Sequence, residues 1–389
     1  CHSPKAEVDA PVLVADEAPA AGPGASTPHL TAAADGSIWM SWVEPGPDSV
    51  WMLRVAHRQA LGTWSAPRTA VRDSLLFANW ADFPSMAVDA KGRLVAHYLR
   101  RSSAGKYSYG AWITTSADGG LSWSAPQRLH SDSSATEHGF AALVPQGDGS
   151  TFAAWLDGHA AFGEHGEMSL GFGVIDSTLR VRPDTMLDLR TCDCCQVAGA
   201  RTSNGALFAY RDRTDDEVRD IAVVRVGNGT WSAPSIVHAD GWVTKACPVN
   251  GPALSAHDRD VAIVWFTNAR DSAKVQLAVS KDDGATWGSP LRIDDGQPIG
   301  RVDLEYLPDG SALVTWVERT GKGIAEVRAK RVSANGAMSK ATVVVQTSDA
   351  RPTGFPRITT AGDRGVYVAW RELSVPSRLR MALLEVSRK

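Results

Sequence analysis

The sequence predicts an all-β chain folded as one seven-bladed β-propeller of four-stranded blades, seven being favoured over six. Three observations carry this expectation. One strand-like segment recurs seven times at a nearly constant spacing. Each copy is flanked by short apolar runs separated by turn residues. The chain of 389 residues holds 14 Trp, 35 Gly and 21 Pro, which fits many short strands joined by turns rather than a helical bundle.

The recurring segments are GSIWMSW ending at Trp42, GRLVAHY at Tyr98, GSTFAAW at Trp155, GALFAYR at Arg211, RDVAIVW at Trp265, GSALVTW at Trp316 and RGVYVAW at Trp370. Successive intervals are 56, 57, 56, 54, 51 and 54 residues. Around each segment the pattern repeats: an apolar run such as PSMAVDA before it, a polar loop and a strand such as YGAWITTS after it, then a turn and a strand opening on SAP. The seventh unit stops after its third strand, RMALLEVS. The stretch DAPVLVA, residues 9 to 15, copies the SAPSIV pattern of residues 232 to 237, so the N-terminus is expected to supply the missing fourth strand and remove a free sheet edge. Residues 9–389 therefore read as the propeller and residues 1–8 as a tether.

Composition narrows the function classes. A formal net charge of −3 leaves no basic footprint, so nucleic acid is not expected as a partner. No apolar run approaches the length of a membrane-spanning helix. Cys1 followed by an Ala- and Pro-rich stretch resembles the processed start of a bacterial lipoprotein. That resemblance implies a lipid anchor on Cys1, a cell-envelope location at the outer membrane or periplasm, and room for a protein partner there. Disulfides are chemically permitted in such a compartment.

Between the third and fourth strands stand SADGGLSW, Ser116 to Trp123, and SKDDGATW, Ser280 to Trp287. The second fits S-x-D-x-G-x-T-W at every specified position and the first departs only by Ser122. These resemble the Asp-boxes of the sialidase and BNR-repeat superfamily, with degenerate copies ending at Pro67 and Pro234. The motif is a turn device: the Asp accepts turn amides, the Gly permits unusual dihedrals and the Trp packs on the blade. It specifies fold rather than activity.

The resemblance also implies an activity to look for. Sialidases carry an arginine triad for the sugar carboxylate, a tyrosine nucleophile paired with a glutamate, and an acidic aspartate. The F-R-I-P signature is absent here; Phe355-Pro356-Arg357-Ile358 has the residues in another order and sits in the last blade. The fourth blade is unusual, because Arg211 stands where six sister blades place Trp or Tyr. If the chain is a glycoside hydrolase acting on an anionic sugar, the expected catalytic group is Tyr210 and Glu217 with Arg211 and Arg213, with Arg270 or Arg319 as further grips. The plainer alternative is a salt-bridged loop in which Asp212, Asp215 and Asp216 neutralise the arginines.

The leading functional expectation comes from TCDCCQ, residues 191 to 196. Counting back from the position six before each reference residue, His138 lies eleven before Gly149, Cys194 eleven before Gly205 and Cys247 twelve before Arg259. Three successive blades thus place His, Cys and Cys at one level beside the central channel, with Cys192 and Cys195 flanking. His159, His165 and Met168 belong to a loop reaching toward the same mouth. Thiolate, imidazole and thioether suit a soft metal ion, copper first and zinc as the alternative, held by Cys192, Cys194, Cys195, Cys247, His138, His159 or His165. Two further readings stay open: disulfide staples in a non-catalytic interaction scaffold, with Cys247 paired to Cys192, Cys194 or Cys195, and thiol redox chemistry.

Overall fold

The computed structural model describes residues 8–48, 50–59, 62–161, 166–362 and 364–387. Cys1, the expected anchor, and His165, one expected metal ligand, lie outside them. The described residues form seven antiparallel sheets with only short helical turns between them. Each sheet is built from strands consecutive in sequence, except the last. There Arg357–Thr360, Gly365–Glu372 and Arg378–Glu385 are completed by the N-terminal strand Val12–Asp16, running antiparallel from Val12 opposite Glu385 to Asp16 opposite Met381. The closure expected from the repeat is therefore present, starting three residues later than the DAPVLVA pattern.

Blade four departs from the plain pattern. Its third strand, Ile221–Gly227, pairs with two short outer pieces, Thr230–Trp231 and Ser235–Ile236, where a degenerate Asp-box interrupts the fourth strand. The first strand of every blade packs against the first strands of both neighbours, so seven inner strands ring a central channel.

The second strands carry the core, which is why the repeat is visible in them. Trp42, Trp155, Trp265 and Trp316 are fully buried. At ~25 cal/mol per Å2, burying a ring of this size contributes on the order of 4–6 kcal/mol of gross transfer free energy. A buried indole N–H needs an acceptor, and the sequence supplies one two residues on: Glu44 for Trp42 at 2.8 Å, Asp157 for Trp155 at 2.8 Å and Glu318 for Trp316 at 2.6 Å. Trp265 instead reaches Asp240 at 2.7 Å.

Both Asp-boxes close their turns as their chemistry dictates. Asp118 accepts the amides of Leu121 and Ser122, Asp282 accepts that of Thr286, and Ser116 and Ser280 each accept a glycine amide. Gly120 and Gly284 have φ of 80° and 78°, which explains the glycines.

Candidate functional site

A cavity of about 560 Å3 opens at the channel mouth. Its wall comes from the loops that lead into the first strands of blades two to five and seven, which supply Trp80, Glu137, Asp193 with Cys194, Cys247 and Arg351. The loop between the second and third strands of blade two adds Tyr107, and the start of the third strand of blade three adds Met168. Asp-box turns lie between third and fourth strands, at the other end of the blades. Blades two to five follow one another in the chain, but blade seven is remote from blade two, so Trp80 and Arg351 share a wall only because the ring closes.

Trp80 forms one side. Its ring stacks on Phe355 at a centroid distance of 6.0 Å, and the guanidinium groups of Arg301 and Arg351 approach it at 5.3 and 6.0 Å. Two carboxyl groups, Glu137 and Asp193, also line the cavity. Burial pushes Glu137 up to about 7, and the charge of Asp193 adds to this, although the Tyr109 hydroxyl donates to Glu137 and works the other way. Behind them Asp82 is fully enclosed and held far above the usual carboxylate range by burial, while its Oδ1 accepts the Phe140 amide at 2.7 Å. Burial also raises Asp193, against the pull of Arg213, which binds it at 3.1 Å.

The four clustered cysteines divide into two states. Cys194 and Cys247 form a disulfide that joins blades four and five across a Cα separation of 6.1 Å and faces the cavity. Cys192 and Cys195 are free thiols buried behind it, with their Sγ atoms 3.1 Å apart. Burial opposes ionisation of Cys192, yet the Cys195 hydrogen bond and the charges of Arg211 and Arg219 outweigh it and bring the thiol down to about 6. Cys195, buried and facing that group, is pushed well above the ordinary thiol value. Gln196, next to Cys195, ties this loop to blades two and five: its side chain donates to Ala81 O at 2.7 Å and accepts the Gly251 amide at 2.9 Å.

His138 opens the first strand of blade three, whereas Cys194 and Cys247 lie four and six residues before those of blades four and five. The side chains do not all meet. His138 is buried against His130, rings stacked at 3.8 Å, with its Nε2 3.1 Å from Asp132 and 3.5 Å from Asp157. His159 is held by Asp157 at 2.8 Å. Carboxylates thus engage both histidines, and among the described residues the cluster with metal-ligand spacing is Cys192, Cys194 and Cys195 alone.

The arginine group of blade four is structural in its contacts. Arg211 is 1% exposed; it donates to the carbonyls of Arg219, Asn250 and Phe266 at 2.6 to 3.1 Å and lies 4.7 Å over Trp242. It therefore fastens blade four to blade five instead of facing a ligand. Tyr210 is fully buried and donates to Asp188. Arg213 and Arg219 share Glu217, at 2.8 and 2.9 Å, and Arg213 also pairs with Asp193 rather than with Asp212, Asp215 or Asp216. Arg319 pairs with Asp349 at 3.3 Å, and neither it nor Arg270 lines the cavity.

Two cavity groups, Glu137 and Asp193, escape sequence reasoning. Each is the immediate neighbour of a singled-out residue, His138 or Cys192 and Cys194. For Glu137, which abuts the first strand of blade three, alternation from His138 would have found it; Asp193 sits in a turn and lines the cavity together with Cys194, so alternation does not reach it.

A model of the BNR repeat-like domain matches residues 29–306. The chain belongs to the BNR-repeat family. Solved structures similar to this BNR propeller include the BP39L lectin from Burkholderia pseudomallei, 14% identical with a TM-score of 0.63, covering 94% of this chain and 98% of the lectin. An ulvan lyase bound to a GlcA and sulfated rhamnose saccharide is 11% identical with a TM-score of 0.59, covering 96% of each chain. An α-L-arabinofuranosidase from Fusarium graminearum is 12% identical with a TM-score of 0.54, covering 96% of this chain and 97% of that one. At such identities the likeness is one of fold. A comparison with curated protein sequences finds no match.

Proposed function

We propose that this BNR propeller binds and cleaves a carbohydrate at the channel mouth, with Glu137 as proton donor. The observation that carries the reading is the cavity wall itself: Glu137, raised to about 7 by burial, beside a second carboxyl, Asp193. A carboxyl kept partly protonated near neutrality is able to protonate a leaving oxygen, while a second carboxylate stabilises positive charge or guides water. Trp80 and Tyr107 offer apolar faces for sugar C–H groups, and Arg351 offers a cation for an acidic substituent. That carbohydrate-binding and carbohydrate-cleaving proteins share the fold supports the choice of substrate class.

The test is turnover of a panel of fluorescently labelled neutral and uronic-acid oligosaccharides. Glu137→Gln is expected to lose turnover on the cleaved member while still binding it by calorimetry. Activity requiring the protonated acid falls as pH rises through about 7. Unchanged turnover in the Glu137→Gln protein would overturn the assignment.

A second reading rests on the sulfur geometry. The ligand atoms of Cys192, Cys194 and Cys195 all lie within 4.8 Å of one another, so once the Cys194–Cys247 bridge is reduced they form a soft-metal set suited to Cu(I), with Zn(II) as the alternative. The fully reduced protein would then bind Cu(I) stoichiometrically, and failure to do so in a chelator competition would remove this reading.

A further inference from the structure

The four sulfurs at the mouth occupy two unlike environments in direct contact. The Cys194–Cys247 bridge sits in the cavity wall, with Cys194 half-buried and Cys247 exposed. Cys192 and Cys195 lie behind it, 0% and 1% exposed. The Sγ of Cys192 is 4.0 Å from that of Cys194 and 3.1 Å from that of Cys195. Nη1 of Arg219 points at Cys192 Sγ from 3.3 Å. A buried dithiol touching a disulfide is placed for exchange without diffusion, and the guanidinium favours the attacking thiolate.

We propose that these residues form a four-sulfur exchange centre, in which the chain with one disulfide interconverts between a Cys194–Cys247 bridge and a Cys192–Cys195 bridge, presenting a reactive Cys194 and Cys247 dithiol to the cavity. Cys192 attacks Cys194 Sγ; the bond between Cys194 and Cys247 breaks and Cys247 leaves as the thiolate. Cys195 then attacks Cys192, a Cys192–Cys195 bond forms, and Cys194 leaves. The two protons lost by Cys192 and Cys195 are matched by those taken up at Cys194 and Cys247, and no electron enters or leaves. The reactant class for the exposed dithiol is a disulfide. The dithiol reduces it to two thiols and closes again as Cys194–Cys247, leaving the chain with two bridges.

The centre depends on neither the carbohydrate reading nor Glu137. Sequence makes it readable. Trypsin releases Thr191–Arg201, with Cys192, Cys194 and Cys195, and Ala246–Arg259, with Cys247. The Cys194–Cys247 form yields these peptides joined; the Cys192–Cys195 form yields them separate. The purified full chain, holding one disulfide, is incubated in its native state with N-ethylmaleimide, then acid-quenched and mapped without reductant.

The expected result is progressive labelling of Cys194 and Cys247 with an internal bridge in Thr191–Arg201. Cys192→Ser is expected to keep the peptides joined and Cys247 unlabelled. Cys195→Ser, which retains the attacking sulfur, stops at a Cys192–Cys194 bridge with Cys247 labelled. With oxidised glutathione in place of the maleimide, the wild-type chain gains a second bridge and releases two glutathione thiols. Wild-type peptides that stay joined throughout, or four maleimides and no bridge in the native chain, would overturn the proposal; so would labelling of Cys247 in a folded Cys192→Ser protein.

Discussion

Glu137 gives a stability signature that can be read without knowing any substrate. Its carboxyl moves from an ordinary 4.5 to about 7 on folding, chiefly because burial disfavours the anion. At ~1.4 kcal/mol per pH unit the shift corresponds to at most about 3.5 kcal/mol, less whatever water in the cavity screens. The sign follows from the direction: a group whose folded value is raised contributes stability that is complete below 4.5 and is lost as pH rises through about 7. Glu137→Gln keeps an acceptor for Tyr109 and cannot ionise, so it removes this dependence. In urea unfolding, the stability difference, variant minus wild type, is expected to grow by roughly 2–3 kcal/mol in the variant's favour between pH 4.5 and pH 8.5. A difference that stays flat across that range would refute the argument that burial holds Glu137 protonated, and with it the proton-donor assignment.

Other perturbations follow from the same geometry. Arg211→Met strands buried carbonyls of Arg219, Asn250 and Phe266, so denaturant melts are expected to show a loss of roughly 3–5 kcal/mol, with ligand affinity unchanged in the folded fraction. Gly251→Ala would place a Cβ 2.1 Å from the Gln196 carbonyl; the loop must shift, and the yield of the Cys194–Cys247 bridge in non-reducing peptide maps is expected to fall. Removing residues 1–16 strips the closing strand and leaves Arg378–Glu385 as a bare edge, so light scattering is expected to report association and thermal melts an earlier transition.

Some of this protein is written locally. The blade count, the order of strands, the strand exchange at the termini and the Asp-box turns all stand in the sequence. The blade count and the terminal closure rest on a pattern that recurs from unit to unit, and the Asp-box turns on hydrogen bonds among residues a few positions apart, as with Asp118 and Ser122 or Asp282 and Thr286. The buried Trp bonded to an acid two residues on, found in three blades, is equally local. Equal offsets from the repeated landmark led to Cys194 and Cys247, which line the cavity, but not to a shared surface with His138, which does not.

Tertiary structure decided which atoms meet there. His138 and Glu137 are neighbours, yet one ring is sealed against His130 and Asp157 while the other carboxyl enters the cavity; alternation makes a one-residue difference a change of face. Arg211 marks the special blade, but only the packing of blade five shows that its guanidinium is consumed by backbone carbonyls. The sulfur pairing was open among three partners for Cys247, and it is settled by how two loops from adjacent blades approach. The cavity draws residues from Trp80 to Arg351, so its composition depends on closure of the whole ring and on no stretch of sequence alone.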